Sequence, residues 1–182
     1  MSGIINVLGE NSRVLGRQYL PDQNRPAYMA CRNATQAITN DTNTVFVADT
    51  DSGTTNYSAA FDTDGGYDTS TGVWTPGVAG WYFVWARITL YANYDFMFRV
   101  GIGKNTMTTG EPWSWEQKNW NSYDSGTSEM PAAVSAVIYF DADDYSMIRI
   151  RKDGSGDYNT IGGRAWSGAY RLNVPASGQT LG

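Results

Sequence analysis

Residues 67–85 read YDTSTGVWTPGVAGWYFVW and run on as ARITLYA to residue 92. The stretch opens as a polar turn and closes as a strand with large apolar side chains on both of its alternating faces. Tyr82, Val84, Ala86 and Ile88 share one face, and Trp81, Phe83 and Trp85 share the other, because successive strand side chains point to opposite sides. A strand on the surface of a monomeric antiparallel sandwich shows one dry face and one wet face. Two dry faces need a second apolar partner.

The remainder of the chain supplies the frame for that strand. Its 182 residues suit one domain. Seven Trp, twelve Tyr and twenty Gly among many Thr, Ser, Asn and Asp favour strands joined by turns. No stretch carries an amphipathic helix period or a heptad run. Strand-like segments fall at residues 26–32, 44–50, 57–62, 72–76, 80–92, 94–105, 131–140, 145–153 and 164–174, with Gly, Asp, Asn and Pro clusters between them. That spacing predicts an antiparallel all-β sandwich or barrel over residues 25–174. Two further strands alternate clearly. Tyr94, Phe96, Phe98, Val100 and Ile102 form one face of their segment, and Val134, Ala136, Ile138 and Phe140 form one face of theirs. Opposite the latter stand Ala133, Ser135, Val137 and Tyr139. Residues 1–24 pair Ile4 with Ile5, Val7 with Leu8 and Val14 with Leu15 between Gly, Asn and Ser. This has neither helix period nor strand length, so an extended arm is expected there, and a loose tail over residues 175–182.

Absent residue types narrow the chemistry. The chain has no His, which removes Ser-His and Cys-His nucleophile pairs and the commonest zinc ligand. Cys31 is the only cysteine, so no disulfide forms within the chain, and a packing role in a reducing compartment is expected. A glycosidase needs only two carboxylates. The chain has eighteen acids, but nearly all sit in turn-like contexts such as DTDGGYD and DADDY, where solvated hairpin loops are the favoured reading. FDTDGGYD, residues 61–68, clusters Asp62, Asp64 and Asp68 around two glycines. As a calcium loop it fails, because Gly66, Tyr67 and Val73 stand where a ligand, the invariant Gly and the bidentate Glu belong. GKNTMTTG, residues 103–110, lacks the residues of a phosphate loop. No enzyme activity, metal or cofactor is expected.

Partners are narrowed in the same way. A net charge of −5 argues against a nucleic-acid partner. No apolar run reaches the roughly 18 residues of a membrane span, and the first residues carry no secretory-signal pattern. In EPWSWEQKNWNSYDSG, residues 111–126, Trp113, Trp115, Trp120 and Tyr123 stand among Gln, Asn and carboxylates. That composition can stack on sugar rings, but a hairpin whose Trp113 and Trp115 share one face and cover a core or subunit edge is the favoured reading.

At this point the residues carry a resemblance. YDTSTGVWTPGVAGWYFVWARITL resembles the hallmark segment of the tumour necrosis factor and complement globular-head superfamily. AVIYFDADDYSMIRI is similar to that family's later strand, acidic turn and strand, and RAWSGAYRLN to its closing strand. The likeness spans most of residues 26–174 in the right order. It implies a jelly-roll sandwich that assembles as a compact trimer. On that implication Tyr82, Val84, Ala86 and Ile88 point into the core, while Phe83, Trp85 and Arg87 face neighbouring subunits. Val137 and Tyr139 join them, as do Trp166, Tyr170 and Leu172 of the closing strand. An apolar second face is what an obligate oligomer needs.

The start, MSGIINVLGENSRVLG, is similar to the opening of many proteins encoded by tailed bacteriophages, where it heads virion fibre-like or decoration modules. This resemblance implies a virion structural protein, made in the host cytoplasm and placed on the capsid surface. The expected function is a trimeric capsid decoration (cement) protein, docked on the major capsid protein or another virion protein through Ile4, Ile5, Val7, Leu8, Val14 and Leu15. The alternative is a receptor-binding tip of a tail fibre or spike, with the Trp-rich segment contacting a host-surface glycan. A carbohydrate-active enzyme is the third reading, and glycan turnover would single it out.

Overall fold

The structure, a computed structural model, describes residues 24–50, 53–54, 59–92, 96–105, 114–120, 128–154 and 158–172. The expected arm and tail lie outside these residues, apart from Asn24. In chain order the strands are β1 (Ala27–Arg32), β2 (Ala37–Ile38), β3 (Thr44–Val45), β4 (Gly53–Thr54), β5 (Ala59–Asp62), β6 (Tyr67–Asp68) and β7 (Val73–Trp74). They continue as β8 (Gly80–Ala92), β9 (Phe96–Lys104), β10 (Ser114–Trp120), β11 (Ser128–Phe140), β12 (Ser146–Gly154), β13 (Tyr158–Asn159) and β14 (Ala165–Arg171). One large sheet has the order β11-β8-β14-β1-β5-β4 and the other β10-β9-β12-β7-β6, with β3 also on β12, and β13 and β2 form a small third sheet. Every pairing between named strands is antiparallel. The result is an all-β sandwich.

The inward faces follow the alternation. Tyr82, Val84, Ala86 and Ile88 of β8 are buried, as are Ile138 and Phe140 of β11. They meet Phe98, Val100 and Ile102 of β9 and Ile148 and Ile150 of β12 in one core. Each large inward side chain contributes roughly 1.5–3 kcal/mol by leaving water. Trp74, fully buried, packs edge-on against Tyr82 at 5.3 Å and Phe140 at 5.9 Å between ring centroids. The turn before it is tight. Asp68 accepts from the Ser70 amide at 2.8 Å and the Thr71 hydroxyl at 2.8 Å. Gly72 at φ 73° then lies so near Phe46 that a Cβ would come within 2.3 Å of its carbonyl oxygen. A side chain there is excluded both by space and by backbone geometry.

One expected strand differs. Residues 44–50 read as a continuous strand, but only Thr44 and Val45 pair with β12. The Phe46 amide still bonds to Ile148 O at 2.8 Å, whereas Thr50 bridges Cys31 of β1 in the opposite sheet. The segment crosses between the layers, burying Phe46 and Ala48 on the way, so its apolar residues serve both sheets. Cys31 is buried within β1. The carboxylates of residues 62–68 serve the local backbone. Asp62 accepts from the amides of Gly65 at 3.0 Å and Tyr67 at 2.8 Å, and Asp64 pairs with Arg25 at 3.2 Å.

Strand β11 ends its sheet, and its free edge is occupied. Pro131 has no N–H, Glu116 of β10 accepts from the Ala133 amide at 3.1 Å, and the Lys104 ammonium of β9 donates to Tyr139 O at 2.8 Å. Lys104 also pairs with Asp144 at 2.6 Å, in the acidic turn after β11. That Lys104 contact, helped by Asn105 and by the Asp141 amide at 2.7 Å, holds the Asp144 carboxyl at about 2, below its ordinary 3.8. A carboxyl lowered on folding stabilises the native state above its unfolded value and loses that contribution as pH falls through the folded one. Stability should therefore drop between about pH 4 and pH 2. Asp144→Asn should flatten that drop and cost roughly 1–2 kcal/mol at neutral pH, measurable by urea denaturation across the pH range.

Candidate functional site: the outer face of the six-stranded sheet

The two sheets present unlike outer faces. On the β9–β12 side, Arg99 and Arg151 stand opposite each other, with Asp153 at 3.6 Å from Arg99 and 2.6 Å from Arg151. These ion pairs are half-buried, and Met147 and Arg149 of β12 beside them are buried. The other sheet carries aromatic and aliphatic side chains across three adjacent strands.

Register sets the rows of that face. Val137 of β11, Phe83 of β8 and Tyr170 of β14 are directly aligned, as are Tyr139 and Trp81. Ser135, Trp85 and Gly168 form the next row, and Ala133, Arg87 and Trp166 the one after. Leu172 joins the first rows through its amide, which donates to Trp81 O at 2.8 Å. The Trp81 and Tyr139 rings meet edge-on at 5.5 Å, and Phe83 lies 5.5 Å from Tyr170. All eight residues expected to face a neighbour (Phe83, Trp85, Arg87, Val137, Tyr139, Trp166, Tyr170 and Leu172) therefore sit on one face of one sheet. Val137 is 50% exposed and Trp81 44%, values far above those of the inward neighbours on the same strands. Sequence reasoning left Trp81, Phe61 and Met29 out of the site. Trp81 was legible from its parity with Phe83. Phe61 and Met29 join only through the pairing of Met29 with both Gly168 and Phe61, which no spacing in the chain reveals.

Two hollows indent this face. One, of about 380 Å³, is lined by Phe83, Trp85, Ala133, Ser135 and Trp166. The other, of about 510 Å³, lies beside it between Arg87, Thr89, Glu129, Pro131, Arg164 and Trp166. Arg87 stacks over the Trp166 ring at 6.0 Å from its centroid, and Arg164 pairs with Glu129. An apolar field with a charged rim at one end is the anatomy of a protein contact surface.

Gly168 makes this face flat. A Cβ there would lie 2.8 Å from Trp85 Nε1 and 2.9 Å from two of its ring carbons, so the indole lies over bare backbone. Gly168→Ala should displace the ring, with a net cost of roughly 1–2 kcal/mol after the usual gain from replacing Gly. Denaturation followed by tryptophan emission would register both the cost and the shifted indole.

The other sequence-derived candidates are placed as follows. Trp115 and Trp120 fall on β10, the edge strand of the second sheet. Trp113 and Tyr123, and the anchoring set Ile4, Ile5, Val7, Leu8, Val14 and Leu15, lie outside the described residues. No group of three or more metal-ligating side chains occurs among the described residues, and no helix there is long and apolar enough to cross a membrane.

No protein-family model matches the chain, and no curated protein does. Among solved structures it is similar to an Eiger TNF from S. frugiperda, at 15% identity and a TM-score of 0.56. The match covers 86% of this chain and all of that one. At that identity the likeness shows a shared fold, a TNF-like jelly roll, and nothing more.

Proposed function

We propose that the protein is a non-enzymatic virion structural protein of a tailed bacteriophage. On this reading it is a homotrimer that decorates the outer capsid surface as a cement protein. The observation that carries the oligomeric part is the contiguous apolar face of β11, β8 and β14, set against the ion-paired outer face of the other sheet. Soluble monomers rarely expose such a patch. The TNF-like fold supports closing it by threefold self-association. The virion part rests on the opening residues 1–16 and their likeness to phage structural proteins. The mechanism is binding: three arms from one trimer engage neighbouring capsomers, and avidity multiplies modest contacts.

A tail-fibre tip that binds a host glycan through the Trp-rich segment is the competing reading, supported by the placement of Trp115 and Trp120 on an edge strand. Mass spectrometry of purified particles, with a density map of the intact virion, separates the two. A decoration protein should appear at a copy number comparable to that of the capsomers and sit on the shell. A few copies at the tail would overturn the capsid assignment, and turnover of a glycan by the purified protein would overturn the non-enzymatic one.

A further inference from the structure

The larger hollow, of about 510 Å³, has the size of a small-ligand site. It differs from the rest of its face in carrying polar groups that the fold leaves unanswered. Thr89 stands on the outward side of β8, opposite Pro131 of β11. It is only 4% exposed, and its hydroxyl bonds to no described residue. A buried hydroxyl without a partner is costly, and this residue lines the hollow. Arg87 lies over the Trp166 ring and has no carboxylate partner among the described residues. A guanidinium stacked in this way keeps its edge N–H groups free for a planar acceptor. Arg164 donates to Glu129 Oε2, which leaves Glu129 Oε1 without a partner among the described residues. The turn that carries Arg164 is fixed from two sides. The Ile161 amide donates to Thr89 O at 2.9 Å, and the Gly163 amide to Arg32 O at 2.7 Å. A Cβ on Gly162 would fall 2.3 Å from Asn33 O, so this turn lies directly on the chain that leaves β1. The polar groups are therefore positioned before any ligand arrives.

The geometry points to a binding site for a sugar acid, a saccharide ring that bears a single carboxylate. Arg87 takes the carboxylate through two parallel N–H bonds. The Thr89 hydroxyl and Glu129 Oε1 take ring hydroxyls, and Trp166 with Pro131 offers flat apolar walls to the ring's C–H face. Charge selects a monoanion. Two guanidiniums against one carboxylate leave the lining one positive charge in excess, in a chain whose net charge is −5. The second charge of a phosphate would face Glu129 instead. A simple aliphatic acid would leave Thr89 and Glu129 as unanswered as before. The site is formed within one chain. Thr89, Glu129, Pro131 and Arg164 are not among the residues assigned to the subunit contact, so on the trimer reading the hollow falls at the border of that contact. Its chemistry depends neither on that reading nor on a virion role.

The test titrates the unaltered full-length protein with D-glucuronate, D-galacturonate and N-acetylneuraminate, followed by saturation-transfer NMR and tryptophan emission. At least one should bind with a Kd on the order of 1 mM, as an open site for one sugar ring allows. The methyl glycosides of glucose and galactose, at equal ionic strength, should not. Arg87→Gln should weaken binding by at least about tenfold. Thr89→Val, which keeps the side chain's shape, should weaken it about two- to tenfold. Absence of binding by every acid would overturn the proposal without recourse to any variant. Equal binding of the neutral sugars would overturn it, as would equal binding of acetate or inorganic phosphate. Undiminished affinity in Arg87→Gln would place the ligand elsewhere and overturn the site, and in Thr89→Val it would overturn the role of that hydroxyl. Val137→Asp, which lies outside the hollow, separates this result from the trimer proposal. Binding by both the unaltered protein and this variant supports a site within one chain, whatever the oligomer. Binding by the variant alone would put the hollow under a neighbour and overturn the site in the assembled protein.

Discussion

Trp85→Asp is expected to convert a trimer that sediments as one species at micromolar concentration into monomer or aggregate. Trp85 stands in the middle row of the apolar face, between Ser135 and Gly168. A carboxylate there would be enclosed by a neighbour without a partner, and an uncompensated buried charge costs about 3–5 kcal/mol. The substitution also removes the indole that covers Gly168, so part of its effect would arise within one subunit. Val137→Asp separates the two contributions. Val137 is half exposed in the single chain, and a charge at such a position should alter monomer stability by no more than about 0.5 kcal/mol. Trimer loss with unchanged circular dichroism and melting of the monomer would assign the effect to the interface. Sedimentation of the unaltered protein as a well-folded monomer would sink the trimer proposal outright.

Removing residues 1–24 should have the opposite profile, with nearly unchanged melting and assembly but no incorporation into particles. The described core is built by the strands from β1 onward, and the proposal gives Ile4, Ile5, Val7, Leu8, Val14 and Leu15 a docking role instead of a place in it. If three arms engage together, weakening each by about 1 kcal/mol costs about 3 kcal/mol in total, more than a hundredfold in occupancy. Ile4→Ser combined with Ile5→Ser should then empty the shell of this protein while leaving it folded. Binding assays on particles stripped of it would measure the difference. Equal binding by the armless trimer would show that the arm anchors nothing.

How much of this was legible in the sequence depends on the range over which each signal acts. Strand β8 was readable because its inward positions Tyr82, Val84, Ala86 and Ile88 and its outward positions Trp81, Phe83 and Trp85 are all apolar. The inward sets of β9 and β11 were readable for the same reason. The crossing at residues 44–50 was not, since a buried segment that changes sheets has the same composition as a buried strand. The two-residue strands β2, β4 and β13 carry too few side chains for any period. The lateral extent of the outer face was equally hidden: Phe61 reaches it only because β5 pairs with β1 in one register. Glu129 and Arg164, 35 positions apart, meet through tertiary pairing that leaves no local mark.

The occupied edge of β11 bears on what kind of object the chain can build. An unguarded strand of that length offers a row of amides and carbonyls on which another copy can add, and then another, without limit. Here Pro131 withholds a donor, while Glu116 and Lys104 already engage Ala133 and Tyr139. On the proposed trimer, association then falls to the broad side of the sheet, where a rotation can return on itself after a fixed number of subunits. Growth along this edge is discouraged before any partner arrives, so on the proposed trimer a concentrated pool of free protein should not extend into fibrils through β11.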